Sequence, residues 1–305
     1  METLTLYHRC LDEWLGRLDG VGTADWQRPT PCRDWDVRQL VNHLVGEDLW
    51  TVPLMAGARL EDVGDRLDGD LLGDDAGAAA RASAKAARAA VDEHLPAGGG
   101  VNLSYGEERA EEYVMQLAAD HLVHAWDLAA AVGGPRRLDD QAVTAVAAWF
   151  RDREILYRSA GLVAAHLANG EDPQARLLGG FGRDALWGAN HACLAALSTA
   201  FGRGDIDAIM ALMTDDCRFE ATGPAPDGTP HEGAAAVRLQ WEQLFGDTTE
   251  PLFEEEELFV SGDRGVLRWR FSWRNDEDTP GHVRGVDVFW FRDGLVAEKL
   301  SYVKG

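Results

Sequence analysis

The sequence predicts an all-α domain followed by an α+β domain, with the change near residue 188. Residues 3–19, 37–49, 76–95, 107–132 and 139–150 read as helices, separated by segments rich in Gly and Pro. Residues beyond about 188 instead place two helices ahead of short alternating strands, the order of an α+β domain. A chain of 305 residues with 46% apolar composition is long enough to bury two cores. The expected domains are residues 1–188 and 189–305.

Each element has its own signal. In residues 3–19, Leu4, Tyr7, Leu11, Trp14, Leu15 and Leu18 recur on one helical face. Pro29 and Pro31 disfavour helix and make residues 26–36 an extended loop. Asp34 or Asp36 can then cap the next helix, whose apolar stripe is Leu40, Val41, Leu44 and Val45, with His43 close to it. Residues 58–75 are acidic and Gly-rich and read as a surface connection, and residues 76–95 as an Ala-rich helix. Val101–Gly106 reads as a short strand-like segment. The long helix at 107–132 is stopped by Gly133-Gly134-Pro135, and a less regular part runs from about 151 to Trp187.

In the second domain, helices are expected at 190–202, 205–213 and 232–245. Strands are expected at Cys217–Ala221, Leu252–Val260, Arg264–Arg274, Val283–Phe291 and Leu295–Val303, mostly antiparallel. Arg292-Asp293-Gly294 reads as the hairpin turn between the last two.

Charge limits the partners. The formal net charge is −23, with −13 carried before residue 191 and −10 after it. Neither half is a basic module, so nucleic acid and anionic membrane are poor partners, and a small-molecule substrate is expected. The N-terminus has no basic segment followed by an apolar core, and no apolar run approaches membrane length, so a cytoplasmic location is expected. Cys10, Cys32, Cys193 and Cys217 are scattered without a CxxC pair, which fits free thiols better than a disulfide framework.

The chemistry concentrates in Asp120-His121-Leu122-Val123-His124-Ala125-Trp126-Asp127. Asp120 and His124 stand one helical turn apart on one face, half a site for a borderline divalent metal such as zinc. His43 is the best third ligand, because it lies on another helix with an apolar stripe and bundle metal sites are built between facing helices. His121 could displace Asp120, and spacing does not separate the two. The competing reading makes His43 and His124 core histidines satisfied by hydrogen bonds.

Trp26-x-x-Pro29-Thr30-Pro31-Cys32-x-x-Trp35-x-Val37-Arg38-x-Leu40-Val41-x-His43-Leu44, followed by Asp120-x-x-x-His124-x-Trp126-Asp127-Leu128-Ala129, resembles a known pattern. It is that of the DinB-like metal-binding family, which includes the N-terminal domain of mycothiol-dependent maleylpyruvate isomerase. Ala175-Arg176-Leu177-Leu178 with Gly182-Arg183-Asp184 is similar to that family's closing segment, so the resemblance spans roughly residues 5–187. It implies a four-helix bundle holding a divalent metal through His43, Asp120 and His124. The departure is Asp120, where relatives more often carry Glu. The resemblance also implies activation of a low-molecular-weight thiol as a cosubstrate, a use that suits a metal because coordination lowers a thiol's pKa. The same metal could instead activate water. Cys32, in a rigid Pro-flanked loop, reads as packing rather than as a nucleophile, and Trp126 and Asp127 as support for His124.

Phe201-Gly202-Arg203-Gly204-Asp205-Ile206-Asp207, Met213-Thr214-Asp215-Asp216-Cys217-Arg218-Phe219, His231-Glu232-Gly233 and Asp287-Val288-Phe289-Trp290-Phe291-Arg292-Asp293-Gly294 resemble the SnoaL-like domains of the nuclear transport factor-like superfamily. The resemblance implies an α+β cone with a curved antiparallel sheet and, by analogy with other cone domains, a homodimer. An acid among the aromatics of such a cone can act as general acid or base. Asp287 is the first candidate and Glu220 the second, with Trp241, Trp269, Trp273 and Phe289 expected to line the pocket. The competing reading has Asp287 only tie down its strand in a binding or dimerisation module. No Tyr stands where steroid isomerases of the superfamily place theirs, which argues against that chemistry. Three functions follow. One is a metal-dependent, thiol-using transferase or isomerase whose cone helps bind substrate. Another is a cyclase, isomerase or hydratase working from the cone, with a structural bundle. The third is a non-enzymatic small-molecule binder.

Overall fold

The computed structural model describes residues 1–33, 35–274 and 279–304. The chain divides into two compact units, Met1–Leu186 and Trp187–Gly305. The first unit is helical. Its elements are α1 (Thr3–Leu18), α2 (Val37–Met55), α3 (Leu60–Val63), α4 (Ala76–His94), a hairpin of β1 (Gly100–Leu103) and β2 (Gly106–Arg109), α5 (Ala110–Val132), α6 (Asp140–Arg151), α7 (Glu154–Ser159) and α8 (Pro173–Gly180).

The loop before α2 does more than connect. Thr30 accepts from Cys32 N and donates to the Trp35 carbonyl at 2.8 Å, closing a tight turn around the Pro29–Cys32 stretch. Asp36 then caps α2 by accepting from Gln39 N at 2.8 Å, while Gln39 reaches back to Asp36 N at 2.9 Å. This reciprocal cap starts the helix that carries His43. Asp34, the other expected cap, lies outside the described residues.

α2 runs past the expected end at residue 49 to Met55 and contains Pro53. A proline in the last turn removes only one helical bond, so α2 continues. The strand-like segment at 101–106 is the β1–β2 hairpin, and it takes the first three residues expected of α5.

α1, α2, α4 and α5 form the four-helix bundle, with α5 between α1 and α2. α5 is apolar nearly all round because α6 covers its remaining side. From Leu117 to Ala131 every residue of α5 is buried except Asp120. The one acid left partly open therefore marks where this helix reaches solvent.

The second unit comprises α9 (Ala189–Arg203), α10 (Ile206–Ala211), β3 (Met213–Glu220), β4 (Pro230–Glu232), α11 (Ala234–Gly246), β5 (Thr249–Ser261), β6 (Arg264–Arg274), β7 (Pro280–Arg292) and β8 (Leu295–Val303). The sheet order is β4-β3-β8-β7-β6-β5. All its pairings are antiparallel except β3 with β8. The helix expected at 205–213 stops at Ala211, and Met213 already opens β3.

Alternation along β6 sets the cone. Leu267, Trp269, Phe271 and Trp273 turn inward, and Arg268 and Arg270 turn outward. The outward arginines meet Glu257 at 2.7 Å and Glu254 at 2.9 Å, while Glu255 accepts from Ser198. Among the described residues, no helix is long and apolar enough to cross a membrane. All four cysteines are free.

Candidate functional site

Three side chains converge between α2 and α5. His43 Nε2 lies 3.0 Å from Asp120 Oδ2, and His124 Nε2 lies 3.2 Å from Asp120 Oδ1. The two imidazole rings meet edge to face with centroids 5.2 Å apart. One ligand-type atom from each of the three lies within 4.8 Å of the others. His43 and Asp120 keep 25% and 33% of their side-chain surface exposed, so the cluster is reachable from solvent.

A second layer holds His124. Its Nδ1 lies 2.9 Å from Asp127 Oδ2, three residues on along the same helix. With Nδ1–H donated to Asp127, Nε2 is the nitrogen that faces Asp120 and His43. Arg183 in turn donates to Asp127 through Nη2 at 2.9 Å, and to Cys32 Sγ at 2.7 Å. The Trp35 ring covers His43 at 4.6 Å and His124 at 5.7 Å between centroids. The Pro-rich loop thus supplies a wall, and the closing segment supplies the cation.

The electrostatics follow from this packing. Burial by itself would raise the Asp120 carboxyl, but His124 and His43 beside it hold it well below the usual carboxylate range. Burial also opposes charge on His124, yet Asp120 and Asp127 keep its imidazolium well above the usual histidine range. Asp127 is buried, and Arg183 and His124 together more than offset that and hold its carboxyl low. Burial and the Asp127 charge push the Cys32 thiol up, so it stays protonated and is a poor nucleophile. That agrees with a packing role for Cys32.

His121 points elsewhere. Its Nδ1 lies 2.7 Å from the Leu117 carbonyl and its Nε2 lies 3.2 Å from Asp48 Oδ1, with both side chains fully buried. Ser83 donates to the other oxygen of Asp48 at 3.2 Å. The i, i+3 relation to His124 therefore does not bring His121 to the cluster. Glu47 is an acid that sequence reasoning missed. It stands one turn after His43 on α2, and burial and the Asp120 charge raise its carboxyl. The i, i+4 spacing from His43 was the available signal.

The second unit encloses a separate cavity of about 570 Å³. Asp287 lines it, as do Trp241, Trp269 and Trp273. Phe289 is buried beside it, its ring 6.0 Å from Lys299 Nζ. Glu220 is not among the described residues that line the cavity. Strand alternation turns Phe219 and Ala221 inward, and Glu220 pairs instead with Arg218 at 2.8 Å. Lys299, also missed, lies 2.8 Å from Asp287.

Comparison with known proteins follows the same division. Residues 7–129 match the model of the mycothiol maleylpyruvate isomerase N-terminal domain. An uncharacterized protein of Mycobacterium tuberculosis is 31% identical over 145 residues, which are 46% of this chain and 73% of that protein. The chain belongs to the mycothiol maleylpyruvate isomerase N-terminal domain family. Residues 194–299 match the SnoaL-like domain, so this family member is a fusion of the two.

Among solved structures, an NTF2-like protein of unknown function from Mesorhizobium loti is similar at 32% identity and a TM-score of 0.34, covering 38% of this chain and 92% of that one. Another NTF2-like protein of unknown function, from Burkholderia pseudomallei, is similar at 18% identity and a TM-score of 0.34, covering 38% and 91%. Both domains of this family member come from families associated with enzymes and small-molecule binding.

Proposed function

We propose that the protein is a divalent-metal-dependent enzyme acting on a small organic molecule, a thiol-using transferase or isomerase whose SnoaL-like domain helps bind substrate. The observation that carries this reading is the His43–Asp120–His124 cluster, with three ligand-type atoms within 4.8 Å of one another.

The donor set fits a divalent metal with zinc first. Two imidazole nitrogens and one carboxylate are a usual catalytic zinc set, and three protein ligands leave a position for substrate. The partly exposed side of His43 and Asp120 is where that position would lie. Such an ion, when bound, supplies Lewis acidity that brings the pKa of a thiol or water into the neutral range.

The chain's own residues do the rest. Asp127 accepts the His124 Nδ1 proton and fixes which nitrogen faces the site. Arg183 balances the Asp127 charge, so no net anion is left buried behind the histidine. Trp35 covers one side of both rings and excludes water there. Burial and the Asp127 charge raise the Cys32 thiol and make it a poor nucleophile.

Loading the protein with Co(II) and titrating mycothiol or cysteine tests the thiol part. The expected result is a thiolate-to-cobalt charge-transfer absorption that the His43→Ala variant lacks. A cobalt-loaded protein whose spectrum ignores both thiols would remove the thiol from the account.

A second reading is favoured by one observation: Asp287 is 2% exposed and lines the cone cavity. In it the cone performs cyclase, isomerase or hydratase chemistry and the bundle is structural. Asp287→Asn then abolishes turnover while His124→Ala spares it. The opposite pattern favours the metal site.

A further inference from the structure

The chain contains 29 basic residues, yet only Lys85, Lys299 and Lys304 are lysines. Arginine cannot be deprotonated in proteins, whereas a buried lysine readily gives up its proton. One of these rare amines is 5% exposed and lines the cone cavity. Lys299 stands on the inward face of β8 with Ala297 and Ser301.

Its surroundings are a built site. Nζ donates to Ser301 Oγ at 2.6 Å and lies 2.8 Å from Asp287 Oδ2. Ser301 is the cross-strand neighbour of Asp287 and donates to Oδ1 at 2.6 Å. Beyond these two partners the amine meets ring faces: Phe219 at 4.9 Å, Trp241 at 5.3 Å and Phe201 at 5.6 Å. The cavity falls inside the roughly 300–1,000 Å³ range of small-molecule pockets. Its aromatic lining favours a flat, apolar guest.

Charge decides which polar group that guest carries. Lys299 and Asp287 balance each other, and the lining also carries Asp247, Glu254 and Glu255 against Arg274, so a carboxylate guest would add to an excess of negative charge. An uncharged carbonyl would not.

We propose that Lys299 is a covalent site that forms an imine with uncharged aromatic aldehydes or ketones in the cone cavity. Asp287, within 2.8 Å, takes one proton from the ammonium. The freed lone pair forms the N–C bond to the carbonyl carbon, and the C=O pair moves to oxygen. That oxygen takes up the proton held by Asp287 and a second one from the nitrogen, and the C–O bond breaks to release water. The nitrogen retains one proton as an iminium, and Asp287 is ionised at the start and at the end. Burial pushes the Lys299 amine below its ordinary range despite Asp287, which supports the geometry. Nothing in this step requires a metal, so failure of the metal reading leaves it standing.

Reductive trapping tests the proposal. The full-length protein is incubated with 2-naphthaldehyde and sodium cyanoborohydride and mapped by peptide mass spectrometry. Burial weakens the amine's hold on its proton, so Lys299 should carry the dominant label, above Lys85 and Lys304. Lys299→Arg keeps the charge and loses that label. Should Lys299→Arg fail to fold, the Lys299→Met/Asp287→Asn double variant removes both charges together and should also lose it. Labelling confined to Lys85, Lys304 and the N-terminus overturns the proposal. Quenching of tryptophan fluorescence by the aldehyde with no trapped adduct at Lys299 overturns it as well.

Discussion

His124 Nδ1 lies 2.9 Å from Asp127 Oδ2, one turn along the same helix, and this pairing aims Nε2 at Asp120 and His43. The site is therefore a histidine positioned by one carboxylate on its far side and facing another. Asp127→Asn keeps the shape of the support but loses its charge and leaves Arg183 unbalanced. The expected result is a metal affinity weaker by about 10–100-fold, read by competition with a chromophoric chelator.

His121 offers the contrasting case. It and Asp48 are fully buried and pair with each other at 3.2 Å. His121→Ala leaves the Asp48 carboxylate buried with Ser83 as its one side-chain hydrogen-bond donor among the described residues. Urea unfolding should show a loss of about 3–5 kcal/mol, with metal stoichiometry unchanged. Loss of the metal from a folded His121→Ala protein would place His121 in the site.

Gly285 tests the cone. A Cβ there would run into the Trp269 ring and the Tyr302 carbonyl. Gly285→Ala should destabilise the protein by about 1–3 kcal/mol and shift Trp269 fluorescence, because the indole must move.

The buried amine carries a pH signature. Lys299 has a lowered folded-state value, while the unfolded chain holds its proton up to about 10.4. Between those values the unfolded state binds more protons, so stability rises with pH in that window. Comparison with the Lys299→Met/Asp287→Asn variant cancels the other groups. Wild type should gain stability relative to that variant as pH rises from 7 toward 10, measured by urea midpoints. A constant difference would mean that Lys299 keeps its proton throughout.

Much of this was legible before any coordinates. Helical period placed Asp120 and His124 on one face, and the apolar stripe of α2 put His43 toward the interior. The cluster needed only helix geometry and one packing contact. Arg183 was different, since it reaches Asp127 across 56 residues of sequence through a turn that no periodicity marks. Lys299 lies on the inward face of β8 with Ala297 and Ser301, while Tyr302 is 50% exposed. A polar inward face is what a cavity produces, and no apolar period marks it. Glu220 lies on a strand that was identified without its inward face.

The central claim is that His43, Asp120 and His124 hold one divalent ion. Metal analysis by inductively coupled plasma mass spectrometry on purified protein, with His43→Ala and His124→Ala in parallel and circular dichroism to verify folding, measures it directly. The account predicts about one equivalent of a divalent metal in the wild-type protein and its loss from both folded variants. A wild-type protein free of metal at neutral pH that takes up none on reconstitution would contradict it.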